Sequence, residues 1–102
     1  MPKEISFYNL SDNVTDEQYQ EYVKKFKGPL LESMPSVTKF ELVRIKGAVV
    51  GEAPYNYVGI LHVKNLDEFY QKGTTSQKFQ DFMKELMPMV SDANITYGEE
   101  VY

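Results

Sequence analysis

Apolar residues change their period along this chain, and each change marks an element. Over residues 4–10 they alternate, with Ile5 and Phe7 on one face and Ser6 and Tyr8 on the other, which predicts a strand. Beyond the Ser11-Asp12-Asn13 loop the spacing becomes helical, and Tyr19, Tyr22, Val23, Phe26 and Leu30 form a single stripe. Thr15 with Gln18 spells a capping box at the start of that helix, and Asp16 and Glu17 suit the positive end of its dipole. Gly28-Pro29 predicts a break or kink, followed by a short helical continuation towards Met34. Val37 to Val50 reads as a long second strand, with Phe40, Leu42 and Arg44 on one face and Lys39, Glu41, Val43 and Ile45 on the other. Gly51 to Pro54 closes a hairpin, and Tyr55 to Val63 returns as a third strand. In that strand Tyr57, Gly59, Leu61 and Val63 face one way, while Val58, Ile60 and His62 face the other. Asn65 with Glu68 opens a short helix that Gly73 stops. Thr74 with Gln77 opens a longer one carrying Phe79, Phe82, Met83, Leu86, Met87 and Val90. Pro88 kinks or ends it, and Ala93 to Tyr102 reads as a fourth strand.

The order β, α, β, β, short α, α, β is the ferredoxin-like βαββαβ plan: an α+β fold with helices on one face of a four-stranded antiparallel sheet. With 102 residues there is room for one domain, residues 1–102. The strands are apolar on both sides, with Ile5 and Phe7 against Tyr8 and Leu10, and Leu61 against Val58 and Ile60. Helices cover only one face, so a homodimer with a second copy over the other is expected.

Composition narrows the chemistry. The chain has no cysteine, which excludes disulfides, thiol catalysis and thiolate metal sites. A single histidine cannot build a His cluster, and the acidic residues sit mostly in helix first turns, so no metal site is expected. The net charge is −4 and no dense basic patch exists, which argues against a nucleic-acid partner. The N-terminus lacks an apolar leader and no apolar run is long enough to span a bilayer, so no membrane association and a cytoplasmic location are expected. No phosphate-binding loop, dinucleotide fingerprint, nucleophile elbow or paired-His motif is present, and no cofactor is expected.

The candidate site residues come from the strands. His62 lies mid-strand on a mostly apolar face and is a candidate general acid or base; its ordinary role would be a hydrogen-bonded core histidine. Tyr8 joins it as a candidate catalytic group, and Asn9, Arg44, Tyr57 and Tyr97 are the candidate ligand-binding residues of a half-polar pocket between sheet and helices. Lys27, near the sheet edge, could reach a carbonyl group but reads first as a solvated surface lysine. Met83, Leu86, Met87 and Met89 read as ordinary core that could also wall an adaptable pocket.

The passage Lys27-Gly28-Pro29-Leu30, Met34-Pro35-Ser36-Val37 and Phe40 resembles the helix-to-strand passage of dimeric α/β-barrel proteins, in the EthD-like and monooxygenase-like branches. There the text reads His-x-Pro-Leu and then Leu-Pro-Gly; here Lys27 stands in place of the His and Ser36 in place of the Gly. Haem-binding branches use a helical His, whereas His62 is on a strand, so haem is not expected. Over essentially the whole chain the sequence also resembles the small RedY-like proteins of the HapK type. Ile5-Ser6-Phe7-Tyr8-Asn9-Leu10 and the stretch from Tyr57 to Phe69 carry that likeness best. The resemblance implies a place in the synthesis of prodigiosin-type tripyrrole pigments, in the bipyrrole aldehyde branch, and a pyrrolic ligand. It carries no catalytic residues across. Two other readings stand beside it. One is a non-enzymatic chaperone or scaffold for a pathway enzyme, docking through the Tyr97 to Tyr102 edge. The other is a cofactor-independent monooxygenase.

Overall fold

A computed structural model describes the chain from Met1 to Tyr102. Strand β1 (Pro2–Leu10) leads into a helical rod made of α1 (Asp16–Tyr22), a π-helical turn (Val23–Lys27) and α2 (Gly28–Glu32). β2 (Val37–Arg44) and β3 (Tyr57–Val63) follow; then come α3 (Leu66–Glu68) with a second π-helical turn (Phe69–Gly73), α4 (Gln77–Leu86) with a 3-10 turn (Met87–Met89), and β4 (Val90–Glu99). The sheet order is β2-β3-β1-β4, with every pairing antiparallel. This is the ferredoxin-like α+β arrangement that the periodicity predicts.

The caps explain where the helices begin. The Thr15 hydroxyl accepts from the Gln18 N–H while the Gln18 side chain accepts from the Thr15 N–H, a complete capping box. Asn65 caps α3 through the Glu68 N–H. The cap of α4 is Ser76, which accepts from the Phe79 N–H, and not Thr74 as the sequence suggests. Thr74 and Thr75 instead donate back to the carbonyls of Tyr70 and Gln71 and finish the preceding turn.

Several boundaries differ from expectation: β1 begins at Pro2 rather than at residue 4, and β3 at Tyr57 rather than Tyr55. β2 stops at Arg44, because residues 45–56 form a loop held by the Ile45 N–H to Asn56 carbonyl bond and by Asn9, whose side chain accepts from Asn56 N–H and donates to the Pro54 carbonyl. β4 begins at Val90, as soon as the 3-10 turn around Pro88 ends, and finishes at Glu99. The chain does not break at Gly28-Pro29. It widens into the π-helical turn, where the Gly28 N–H reaches back to the Val23 carbonyl, and continues through Pro29 into α2.

That extra residue in the turn shifts the phase of everything after it. Phe26, on the apolar stripe of a regular helix, is 60% exposed, and Lys27 takes the inward position at 6% exposure. Leu31 is likewise buried in place of Leu30. The core between helices and sheet is built on Tyr19, Tyr57, Phe69 and Val63, with Tyr8, Tyr22, Leu61, Phe82 and Leu86 around them. The far face of the sheet, with Ile5, Phe7, Val58, Ile60 and His62, is only half-buried, and Val43 there is exposed.

Candidate functional site: a cavity between sheet and helices

A cavity of about 340 Å³ lies between the helical layer and the sheet. Its floor is the sheet face carrying Glu4, Ser6, Tyr8, Phe40, Gly59 and Leu61, with Ile95 at the β4 side. Its roof comes from Lys27 and Leu31 of the first rod and from Phe69, Tyr70, Phe79, Phe82 and Met83 of the others. The size and apolar lining suit a small, largely apolar ligand. Gly59 lines the floor, and a Cβ there would stand in ordinary contact, 3.6 Å, with the Phe40 ring, so only a larger side chain would fill the space.

Besides the Ser6 and Thr74 side chains, two hydrogen-bonded polar clusters break the apolar wall. At one, Lys27 Nζ donates to the Tyr19 hydroxyl at 2.7 Å and the Tyr8 hydroxyl at 3.1 Å, and the two hydroxyls lie 2.6 Å apart. The ammonium also sits over the rings of Tyr8, Tyr19 and Phe40 at 4.9, 5.4 and 5.6 Å. Burial pushes Lys27 down to about 8, against a smaller opposing pull from Glu4. Burial also holds both tyrosines above their ordinary value, so they stay neutral donors. At the second, the Tyr70 hydroxyl donates to Glu4 at 2.7 Å. Burial raises the Glu4 carboxyl, a rise that the Tyr70 bond and the Lys27 charge partly oppose.

The sequence-predicted site residues divide between two faces. Only Tyr8 lines the cavity. Tyr57 stacks behind it, with centroids 5.8 Å apart, and its hydroxyl donates to Asp16 at 2.7 Å. Arg44 joins the same carboxylate at 2.8 Å, so Tyr57 and Arg44 clamp the start of α1 to the sheet rather than open into the cavity. Tyr97 stands opposite Glu4 in the β1–β4 ladder, on the helix side but 72% exposed. Asn9 and His62 are on the other face, because strand alternation sets them out of phase with Tyr8 and Leu61. His62 Nε2 meets Glu41 at 2.6 Å there. The expectation of one pocket holding Tyr8 and His62 together is therefore corrected by the pleat itself.

Lys27, Glu4 and Tyr70 of the lining, with Tyr19 behind Lys27, carry polar contacts that sequence reasoning left out of the site. For Lys27 the usable signal was Pro29, which cannot donate to the carbonyl four residues back and so favours a local change of helical register. No cluster of three His, Asp or Glu side chains comes together to hold a metal ion, and no helix is long and apolar enough to cross a membrane.

Residues 2–101 match the family model described as REDY-like protein HapK. The chain belongs to the HapK family of REDY-like proteins. Its fold superposes on HapK from Hahella chejuensis with a TM-score of 0.81 at 20% identity, covering 99% of this chain and 93% of that one. It is also similar to a dimeric ferredoxin-like protein of unknown function from Thermobifida fusca (TM-score 0.73, 15% identity, 97% and 90% covered). A third likeness is to SnoaB, a cofactor-independent oxygenase from Streptomyces nogalater (TM-score 0.76, 10% identity, 99% and 93% covered). At these identities the likenesses establish the fold. No curated protein matches the sequence.

Proposed function

We propose that this HapK-family protein binds a small, flat pyrrolic intermediate of prodigiosin-type tripyrrole synthesis in the cavity between sheet and helices. The observation that carries the reading is an apolar, aromatic-walled cavity of about 340 Å³ with two polar groups of opposite character. A pyrrole ring offers an N–H donor, and a conjugated carbonyl offers an acceptor. The Glu4 carboxyl takes the N–H; Lys27 and Tyr8 donate to the carbonyl oxygen; Phe40, Phe69 and Phe82 pack against the ring. Tyr8 is the predicted catalytic residue that this reading keeps in contact with the ligand.

Titration calorimetry with pyrrole-2-carbaldehyde and the bipyrrole aldehyde tests the reading. Saturable binding is expected for the wild type, with a loss of about tenfold or more in Gly59→Val, whose methyl groups enter the floor. His62→Ala on the opposite face is expected to bind as the wild type does. Failure of every pyrrolic compound to bind, or equal binding by Gly59→Val, would overturn the cavity assignment and move the weight to a scaffold role for a pathway enzyme.

The fold also favours a homodimer, since the Thermobifida fusca neighbour is described as dimeric. The half-buried face of Ile5, Phe7, Val58 and Ile60 is the surface a second copy would cover.

A further inference from the structure

Lys27 is the only charged residue in the core, and three features of its surroundings bear on its chemistry. No carboxylate lies within ion-pair distance of it: the Lys27 Nζ partners are two hydroxyls and three ring faces. It lines the cavity rather than the outer surface. And the Lys27–Tyr8–Tyr19 triangle counts hydrogens differently in its two states. With an ammonium, Lys27 donates along two edges and one hydroxyl donates along the third, leaving the other hydroxyl hydrogen without an acceptor in the triangle. With a neutral amine, each of the three groups donates once and accepts once, and the ring closes. A buried amine that its surroundings accept uncharged is a nucleophile.

We propose that Lys27 forms a reversible imine with a small aldehyde or ketone bound in the cavity. The proposal rests on the cavity reading above and names the reactive group of its ligand. The neutral Lys27 amine adds to the carbonyl carbon, the Tyr8 hydroxyl passes a proton to the carbonyl oxygen, and a proton from the new ammonium moves through the Tyr19 hydroxyl back to Tyr8, so both tyrosines end neutral. The resulting carbinolamine loses its hydroxyl with one proton as water, and a C=N bond to Lys27 Nζ remains. Addition of water reverses each step, so no oxidant or reductant is needed.

Borohydride trapping tests it. The full-length protein is incubated with pyrrole-2-carbaldehyde at neutral pH and reduced, and its peptides are mapped by mass spectrometry. The expected product is a gain on Lys27 equal to the aldehyde less one oxygen atom. Its yield should exceed that on each exposed lysine, such as Lys46 or Lys64, by about tenfold or more, since of the lysines only Lys27 lines the cavity that holds the aldehyde. Excess pyrrole-2-carboxamide, which has the shape without the electrophile, should suppress labelling of Lys27 and leave the exposed lysines unchanged. Gly59→Val should do the same if it folds. Labelling of Lys27 no faster than of the exposed lysines overturns the imine. If the carboxamide still binds in the calorimeter, the cavity reading survives that result; if it does not, both fall.

Discussion

Lys27 is held where its charge is costly, and this has a measurable consequence. Burial brings it to about 8 from an ordinary 10.5, so the folded state gives up this proton before the unfolded state does. Protonation therefore counts against the fold below about pH 8, and stability should rise as pH climbs from there towards 10.5. The groups facing it act differently in that window. Burial raises the Glu4 carboxyl against the pull of Tyr70 and Lys27, and Tyr8 and Tyr19 stay protonated in the fold, their ionisation in the unfolded chain cutting in only near pH ~10. Denaturant titrations should show a gain of about 2 kcal/mol between pH ~7.5 and ~9.5. In Lys27→Met that rise should disappear, and the variant should be the more stable protein at pH ~7 by about 1–3 kcal/mol, while losing ligand. A flat wild-type profile would show that Lys27 keeps its ordinary proton affinity in the fold.

At the scale of elements, the first helical rod sets the site. Its N-terminus is fixed by the Thr15–Gln18 box and by Asp16, which holds Tyr57 and Arg44 of the sheet. Its middle, the π-helical turn, rotates Lys27 inward and Phe26 outward. Thr15→Ala removes one accepted bond at the cap. Thermal unfolding should then shift down by about 4–8 °C, the equivalent of about 1 kcal/mol in a domain of this size. The cap was legible because both partners are close in sequence. The phase slip was signalled only by Pro29, because five residues of helix otherwise read the same in α and π registers until tertiary packing chooses which side chain goes in.

At the scale of the molecule, the sheet has one face under helices and one half-buried apolar face. Light scattering should report a dimer for the wild type, and Ile60→Lys, which puts a charge at the centre of the uncovered face, should shift it to monomer with the fold intact. A wild-type protein that stays monomeric would mean that this face is tolerated in water. The His62–Glu41 pair lies on the same face, so any role of His62 belongs to that surface rather than to the cavity.

By itself the sequence determined the strand and helix order, the caps at Thr15 and Asn65, the ferredoxin-like class and the two-sided apolar character of the strands. All of these rest on periodicity or on partners a few residues apart. The tertiary structure alone decided which face holds the cavity, that Lys27 is interior, and that Glu4 and Tyr70, 66 positions apart, share a hydrogen bond. Those depend on how separate elements register against one another. A single added residue in one helical turn, or one step along a pleated strand, carries a side chain from water to the core.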